Sequence, residues 1–172
     1  MIFLGPLRGE IRAASWFAAL GEPLTDGDRA EAETYANVAD VERVSSWPDA
    51  ERFLKSSDAS LDWWNSEEAE RKALLAKAEA RYPERALWTA LTELTTEAGD
   101  LVHGKAATAA ARMRGAAPAS IHVAAGAASQ AVYQLAVARV AGETAPRFES
   151  KFRLFAAGRW PLGVKGSTLV LF

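Results

Sequence analysis

The sequence predicts a mainly α-helical fold: one domain over residues 1–172, built as a bundle of about six or seven helices with a small β element at the end. Three observations support this prediction. Alanine, the residue with the highest helix propensity, occupies 37 of the 172 positions. Apolar residues recur at helical spacing through most of the chain, and proline or glycine separates the segments. Hydrophobic residues make up 49% of the chain and charged residues 24%, which is typical of a globular protein and not of a disordered one.

The N-terminal part of the chain is predicted to form two helices. Residues 7–20 have apolar side chains on one helical face, and Gly21 follows where the pattern ends. In residues 25–44, Thr25 and Asp28 have the spacing of a capping box, and valines extend the apolar stripe to the end of the segment. The second helix is therefore expected to run without interruption to position 44.

The next two helices begin at polar residues that can cap them. Ser46 precedes a short helix with a proline in its first turn, where the missing N–H is harmless. Asn65 and Glu68 have capping-box spacing at the start of residues 65–82, in which acidic residues come first and basic residues follow. Pro83 ends this helix, because the residue before a proline is disfavoured in the α region.

The longest helical pattern covers residues 83–114. Gly99 and Gly104 each weaken a helix interior by about 1 kcal/mol relative to alanine, so we expect a bend or a break near them. A further helix begins at Pro118 and ends at Gly142. The last helix has phenylalanines at i, i+4 and i+7 between positions 148 and 155.

A short β element is expected at the end of the chain. Two short apolar runs flank the sequence VKGST, which is typical of a turn, and the second run, TLVLF, has the character of a strand. The segment most similar to it is MIFL, at the other end of the chain. We therefore predict that residues 2–4 pair with residues 168–172, since an isolated hairpin is only marginally stable in water.

The stretch Glu93 to Lys105 combines carboxylates with one of the two histidines. On a helix, Glu97, Asp100 and His103 share one face, and carboxylates with imidazole at this spacing can hold a metal ion or transfer protons. A metal site also needs a ligand from another helix, and the second histidine is His122. If the chain turns near position 116, the two histidines lie about 10 Å out of register, so we expect no metal ion and no cofactor.

The other chemical motifs are mostly absent. The chain has no cysteine, which excludes disulfides, thiolate metal sites and a cysteine nucleophile. It also lacks the common nucleotide-binding glycine motifs and the nucleophile motif G-x-S-x-G. No signal peptide or membrane span is recognisable, so we expect a cytoplasmic location and no membrane contact.

Trp63 and Trp64 are adjacent in the sequence, so on a helix their side chains point about 100° apart and cannot both face the core fully. One of them is a candidate anchor for a protein partner, because aromatic residues are enriched at interface hot spots. The alternative is that both lie half-buried at a helix junction.

Charge is distributed unevenly along the chain. Residues 1–100 have 11 basic and 20 acidic side chains, whereas residues 101–172 have 9 basic and 2 acidic ones. The basic third, including Arg112 and Arg114, is a candidate for contacts with a partner or with phosphates, and the acidic part is a candidate surface for a basic protein. Alternatively, the two halves pack together and neutralise each other. The net charge of −2 argues against nucleic acid, because a dedicated nucleic-acid-binding domain is usually basic.

These features favour a non-enzymatic interaction protein, an adaptor or an inhibitor of the immunity type, that binds a protein partner. Two alternatives are open. The first is an enzyme with a helix-borne site around Glu97, Asp100 and His103. The second is a weak nucleic-acid binder that uses the basic C-terminal third.

Overall fold

The computed structural model describes residues 1–56 and 58–172, and within them the chain forms seven helices and three short strands. The helices are α1 (Gly5–Ala13), α2 (Asp26–Ala36), α3 (Trp47–Lys55), α4 (Leu61–Arg81), α5 (Glu84–Met113), α6 (Pro118–Ala141) and α7 (Pro146–Ala156). The strands are β1 (Asp40–Arg43), β2 (Pro161–Lys165) and β3 (Thr168–Leu171). The prediction of a mainly α-helical bundle with a small β element is confirmed.

The boundaries of the first helices follow from local capping. Thr25 and Asp28 form the predicted capping box of α2, and the Ser46 side chain caps α3. Helix α1 ends at Ala13, because the next residue is extended, and not at position 20 as predicted. Helix α2 ends where Asn37 adopts a left-handed conformation, so the predicted continuation to position 44 is wrong.

The two helices that follow α3 differ from the prediction in different ways. Helix α4 begins before the predicted start, because the Ser60 side chain accepts a hydrogen bond from the Trp63 N–H, and Asn65 lies inside the helix. Helix α5 runs unbroken for 30 residues through Gly99 and Gly104, so of the two expected outcomes, a bend or a break, the break is wrong. Its continuous buried face outweighs the cost of two glycines, and that face consists of Leu87, Leu91, Leu94, Ala98, Val102, Ala106 and Ala109.

Helices α5 and α6 form an antiparallel hairpin with small residues at the contact. Ala106 of α5 and Ala124 and Ala128 of α6 are fully buried. Because alanine side chains are short, the two helix axes can approach closely and hold side chains from both helices in fixed register. Gly142 ends α6 in a left-handed conformation, as the sequence predicted.

The three strands form one sheet in the order β1-β3-β2. Strand β3 is central: it pairs in parallel with β1, where Asp40 is opposite Thr168, and antiparallel with β2. Residues 2–4 form no strand, so the predicted pairing of residues 2–4 with residues 168–172 is wrong. The reason is that β1 and β2 occupy both edges of β3, whereas the sequence pattern predicts a helix over the residues that form β1.

The sheet and the helices bury their apolar side chains in two clusters. The larger cluster of buried residues includes side chains from α1, from α3 to α7 and from β2 and β3. A smaller cluster lies where the sheet packs on α2 and α7, and it contains Ala32, Tyr35, Ala36, Leu154, Val164, Leu169 and Leu171. Among the described residues, no helix has both the length and the apolar character that a membrane crossing requires.

Candidate functional site

The carboxylate of Glu97 is held by two arginines of α1. Arg8 Nε donates to one carboxylate oxygen at 3.2 Å, and Arg12 Nε donates to the other at 3.1 Å. The pKa of Glu97 lies below its ordinary value, mainly because Arg12 donates hydrogen bonds to the carboxylate. The charge of the Arg12 guanidinium and the contact with Arg8 lower this pKa further. An ionised carboxylate with these partners is a weak base. Glu97 therefore joins α1 to α5 electrostatically.

The two histidines meet on the surface of the α5–α6 hairpin. His103 Nε2 lies 3.3 Å from His122 Nδ1, and the ring centroids are 5.0 Å apart. The predicted separation of about 10 Å is wrong, because the hairpin turns earlier than assumed. Gly99 lies opposite Ser129, because a Cβ at Gly99 would be 3.8 Å from Ser129 Oγ. In an antiparallel hairpin with this register, His103, four residues later, lies opposite about residue 125. His122 is then less than one helical turn away.

The remaining member of the predicted polar face is Asp100, which is exposed on α5 one turn before His103. Within residues 1–56 and 58–172, no group of three or more His, Asp or Glu side chains is arranged to hold a metal ion. Glu97, Asp100 and His103 are therefore not assembled into one site. The chemistry available on this face is that of two facing imidazoles.

Trp63 and Trp64 are half-buried near the start of α4. Trp63 packs edge-to-face against Tyr35 and against Trp64, with ring centroids 5.1 and 4.9 Å apart. The guanidinium of Arg147 lies 5.1 Å from the Trp63 ring centroid and donates to the Trp63 carbonyl at 3.3 Å. The two tryptophans thus lie at a junction of α2, α4 and α7, and a cleft of about 300 Å³ opens beside Trp63.

A network of four buried polar side chains lies next to these tryptophans. Lys151 Nζ donates to Glu67 Oε1 at 2.6 Å and to Gln134 Oε1 at 2.9 Å. The Gln134 amide and the Tyr35 hydroxyl donate to the two oxygens of Glu67 at 2.8 and 2.7 Å. Each of the four residues is at most 3% exposed. The network joins α2, α4, α6 and α7, because each helix contributes one member.

The charges in this network balance one another. Burial by itself raises the pKa of Glu67, but the ammonium of Lys151 and three hydrogen bonds outweigh it and hold that pKa below its ordinary value. Burial, reinforced by the Glu67 carboxylate, raises the pKa of Tyr35 well above its ordinary value. Burial lowers the pKa of Lys151, although the nearby Glu67 carboxylate by itself would raise it. Since every member has a partner inside the network, the arrangement suits a structural role.

This network was not among the features predicted from the sequence. Glu67 lies seven residues before the buried Leu74, on the same face of α4. Lys151 lies between Phe148 and Phe155 on the apolar stripe of α7. A charged side chain at an apolar position of a helix was the signal that could have revealed both residues, because such a residue needs a buried partner.

Most of the basic C-terminal third is neutralised within the molecule. In the described part of the chain, six of the nine basic side chains after position 100 form ion pairs with acidic residues before it. The pairs are Arg139–Glu10, Arg147–Glu70, Lys151–Glu67, Arg153–Glu31, Arg159–Asp28 and Lys165–Asp58. Arg112 donates to the Phe17 carbonyl at 3.1 Å, and Arg114 is exposed at the end of α5. Little unpaired basic surface is therefore left for phosphates.

Acidic side chains without ion pairs lie on α2 and β1. Asp26 and Glu33 on α2 and Asp40 and Glu42 on β1 are exposed. Among the described residues, none of these four has a basic nitrogen within 4.0 Å of its carboxylate. Acidic side chains outnumber basic ones on this surface, although two exposed arginines lie in the same segments.

Strand β1 is an edge strand whose outer side is open in the described structure. The N–H groups of Asp40 and Val44 donate towards β3 at 3.2 and 2.7 Å. Backbone groups alternate in direction along a strand, so the N–H and C=O groups of Val41 and Arg43 point away from β3. No other strand in the described part of the chain pairs with this side.

Two grooves adjoin β1, one beside each half of the strand. A groove of about 420 Å³ lies between α2 and residues 38–41. A second groove of about 420 Å³ lies between residues 42–45 and α3, with Lys165 and Val170 also in its wall. Both grooves are lined by charged side chains together with a few apolar ones.

Comparison of the chain with protein-family models, with curated proteins and with solved structures found no match.

Proposed function

We propose that the protein is a non-enzymatic binding module that takes up an extended segment of a basic protein partner along β1. The observation that supports this proposal is the open edge of β1, where the backbone groups of Val41 and Arg43 point outward. An extended segment can form hydrogen bonds with such an edge and become an additional strand. The two grooves beside β1 would then receive alternate side chains of that segment.

The charge of the edge favours a basic occupant. Asp40 and Glu42 are exposed on β1 and carry no ion pair in the described structure. A second copy of the chain would bring the same acidic side chains to the edge, and charged residues on edge strands discourage self-association. A basic segment would instead be attracted, and its association would be accelerated by electrostatic steering.

The alternatives have less support. An enzyme site around Glu97, Asp100 and His103 has less support, because two arginines hold the Glu97 carboxylate and Asp100 is its one remaining carboxylate. A nucleic-acid surface would need unpaired basic side chains, and most of those after position 100 have acidic partners.

The first test compares Arg43→Pro with Arg43→Ala. Both variants lose the hydrogen bond from the Arg43 side chain to the Gly21 carbonyl, but only proline also removes the outward N–H of the edge. Proline is tolerated on an edge strand whose N–H faces solvent, so both variants are expected to fold. Thermal unfolding of each purified variant checks this expectation.

The partner is isolated by affinity capture on the immobilised wild-type protein and identified by mass spectrometry. Binding of the purified partner is then measured for the wild type and both variants. We expect a basic partner whose affinity is kept in Arg43→Ala and falls by about tenfold or more in Arg43→Pro, since a strand hydrogen bond is lost. Equal affinities for the two variants would contradict strand addition.

The charge of the edge is tested separately. The double variant Asp40→Asn with Glu42→Gln is compared with Glu79→Gln with Glu84→Gln, which removes two exposed acids from other helices. We expect the first pair to slow association and the second pair to change it little, and we expect the wild-type association rate to fall as salt is added. A rate that stays constant between low and high salt would remove the electrostatic part of the proposal.

A further inference from the structure

The contact between His103 and His122 has the nitrogen spacing of two ligands to one metal ion. Both side chains are exposed, and their facing nitrogens, His103 Nε2 and His122 Nδ1, are 3.3 Å apart. Zinc binds imidazole nitrogen at about 2.0–2.1 Å, and two such ligands at a tetrahedral angle are about 3.3–3.4 Å apart. The observed nitrogen separation therefore equals one edge of a tetrahedral zinc coordination shell.

We propose that His103 and His122 form a two-histidine site for a late first-row divalent cation, with Zn²⁺ as the ion whose geometry the nitrogen spacing matches. Neutral imidazole is a good ligand for Zn²⁺, Ni²⁺ and Cu²⁺, whereas Mg²⁺ and Ca²⁺ prefer oxygen. No third side-chain ligand is arranged around the pair among the described residues, so water completes the coordination shell. The open positions also leave room for a ligand atom from another molecule.

The two rings are held in place by rigid elements. His103 lies within the 30-residue helix α5 and His122 within the 24-residue helix α6, and both helices belong to the closely packed hairpin. Buried alanines such as Ala106 and Ala124 fix the register of that hairpin. An ion can therefore bind with small rotations of two side chains and without a change in the backbone, which limits the entropic cost of binding.

Metal binding requires an unprotonated nitrogen on each ring where the two rings face each other. The hydrogen bond between the facing nitrogens of the metal-free pair needs a free lone pair on one nitrogen and an N–H group on the other ring. When the ion binds, that ring changes tautomer: its proton passes through solvent to the outer nitrogen, and both facing lone pairs bind the metal.

The proposal is tested by calorimetric titration of ZnCl₂ into the metal-free protein near neutral pH. We expect about one bound ion per chain, and an affinity reduced by about tenfold or more in His103→Ala and in His122→Ala, because each variant retains only one imidazole ligand. Lys105→Ala, on the same exposed part of α5, is the matched control and is expected to bind as the wild type does.

A second readout reports whether the ion joins the two helices. Zinc is expected to raise the melting temperature of the wild type but not that of His122→Ala, since only a ligand that binds the folded hairpin shifts the equilibrium. Because both rings are exposed, the metal-free variants are expected to melt at the wild-type temperature. Failure of the wild type to bind about one equivalent, or equal affinity in the wild type and both histidine variants, would overturn the proposal.

Discussion

Glu67 and Lys151 illustrate at the scale of single residues how charges are accommodated inside this protein. Removing two ions from water costs several kcal/mol per ion, and a single contact between them repays this only when the remaining donors and acceptors are also satisfied. Gln134 and Tyr35 supply those hydrogen bonds to Glu67. Loss of one charge alone is therefore more damaging than the small net worth of the pair suggests.

The pH dependence of the free energy of unfolding is expected to show the contribution of the ionised Glu67 carboxylate. The pKa of Glu67 is lower in the folded protein than in the unfolded chain. Its contribution to the free energy of unfolding is therefore fully present above the unfolded pKa of about 4.3, and it is lost as the pH falls through the folded pKa. Urea unfolding of the wild type is expected to show stability falling in that acidic window. In Glu67→Gln the fall is expected to be shallower, and at pH 7 the variant is expected to be about 3–5 kcal/mol less stable, because Lys151 is left buried without a carboxylate.

Other acidic residues also titrate in this range, so the comparison with Glu67→Gln isolates the effect of one group. Glu84→Gln is a suitable control, because its side chain is exposed and outside the network. Parallel pH profiles for the wild type and Glu67→Gln would show that Glu67 titrates in the folded protein as it does in the unfolded chain.

Some residue-level features were readable from the sequence because they depend on neighbours only a few positions away. The capping box of Thr25 with Asp28 is such a feature, and the structure has it as predicted. The contact between His103 and His122 depends on how the two helices are aligned. If the turn of the hairpin moves by two residues, the alignment shifts by four residues, or about 6 Å. Spacing in the sequence alone therefore could not locate it.

At the scale of secondary-structure elements, α5 shows that tertiary packing overrides local propensity. Gly99 and Gly104 favour a break, but the helix buries apolar side chains along its whole length against the rest of the bundle. The prediction failed here because glycine propensity amounts to about 1 kcal/mol per residue, whereas burial of one large apolar side chain contributes about 1.5–3 kcal/mol.

Substitution of Gly104 by alanine is expected to stabilise the protein by about 0.5–1 kcal/mol, because alanine loses less conformational entropy in a helix. A Cβ at this position would meet nothing within 4 Å, so no steric cost opposes the gain. The measurement is the free energy of unfolding in urea. Gly142→Ala is the contrasting control: its backbone has φ of +70° and a Cβ would meet the Arg81 guanidinium, so that variant is expected to be destabilised. A loss of stability in Gly104→Ala would contradict this account.

Strand β1 could not be predicted from its own residues. Its sequence, DVER, contains one strong strand former among three charged residues, and it follows a helix whose apolar spacing continues through Val41 and Val44. Asn37 interrupts the helix with a left-handed conformation, and β3 then supplies a partner from the distant end of the chain. The partner strand, and not the local pattern, decides the conformation of this segment.

At the scale of the whole molecule, the uneven charge of the sequence is largely compensated in three dimensions. Basic residues of the last third pair with acids on α1, α2 and α4 and on the segment before α4. Exposed acidic side chains without ion pairs are left on α2 and β1, and Glu79, Glu84 and Asp100 lie on α4 and α5 as further exposed acids. The sequence predicted the imbalance but not its location, because location depends on which charges meet after folding.

Deletion of residues 168–172 is expected to lower the melting temperature strongly. These residues include the central strand, and Leu169, Leu171 and Phe172 are completely buried, each contributing about 1.5–3 kcal/mol to a total stability of roughly 5–15 kcal/mol. Deletion of residues 1–3 is the control and is expected to have a small effect, because Met1 and Phe3 are exposed. Thermal unfolding of both truncated proteins measures the difference, and similar losses from the two deletions would contradict the central role of β3.

The parallel pairing of β1 with β3 also constrains the order in which the chain folds. It joins residue 40 to residue 168, and closing so long a loop costs conformational entropy that only the finished contacts repay. The sheet is therefore expected to form late, after the local helix pairs such as α5 with α6. Until it forms, the backbone of β1 has no neighbouring strand to hold it extended. A partner that binds this edge would consequently distinguish completed molecules from folding intermediates.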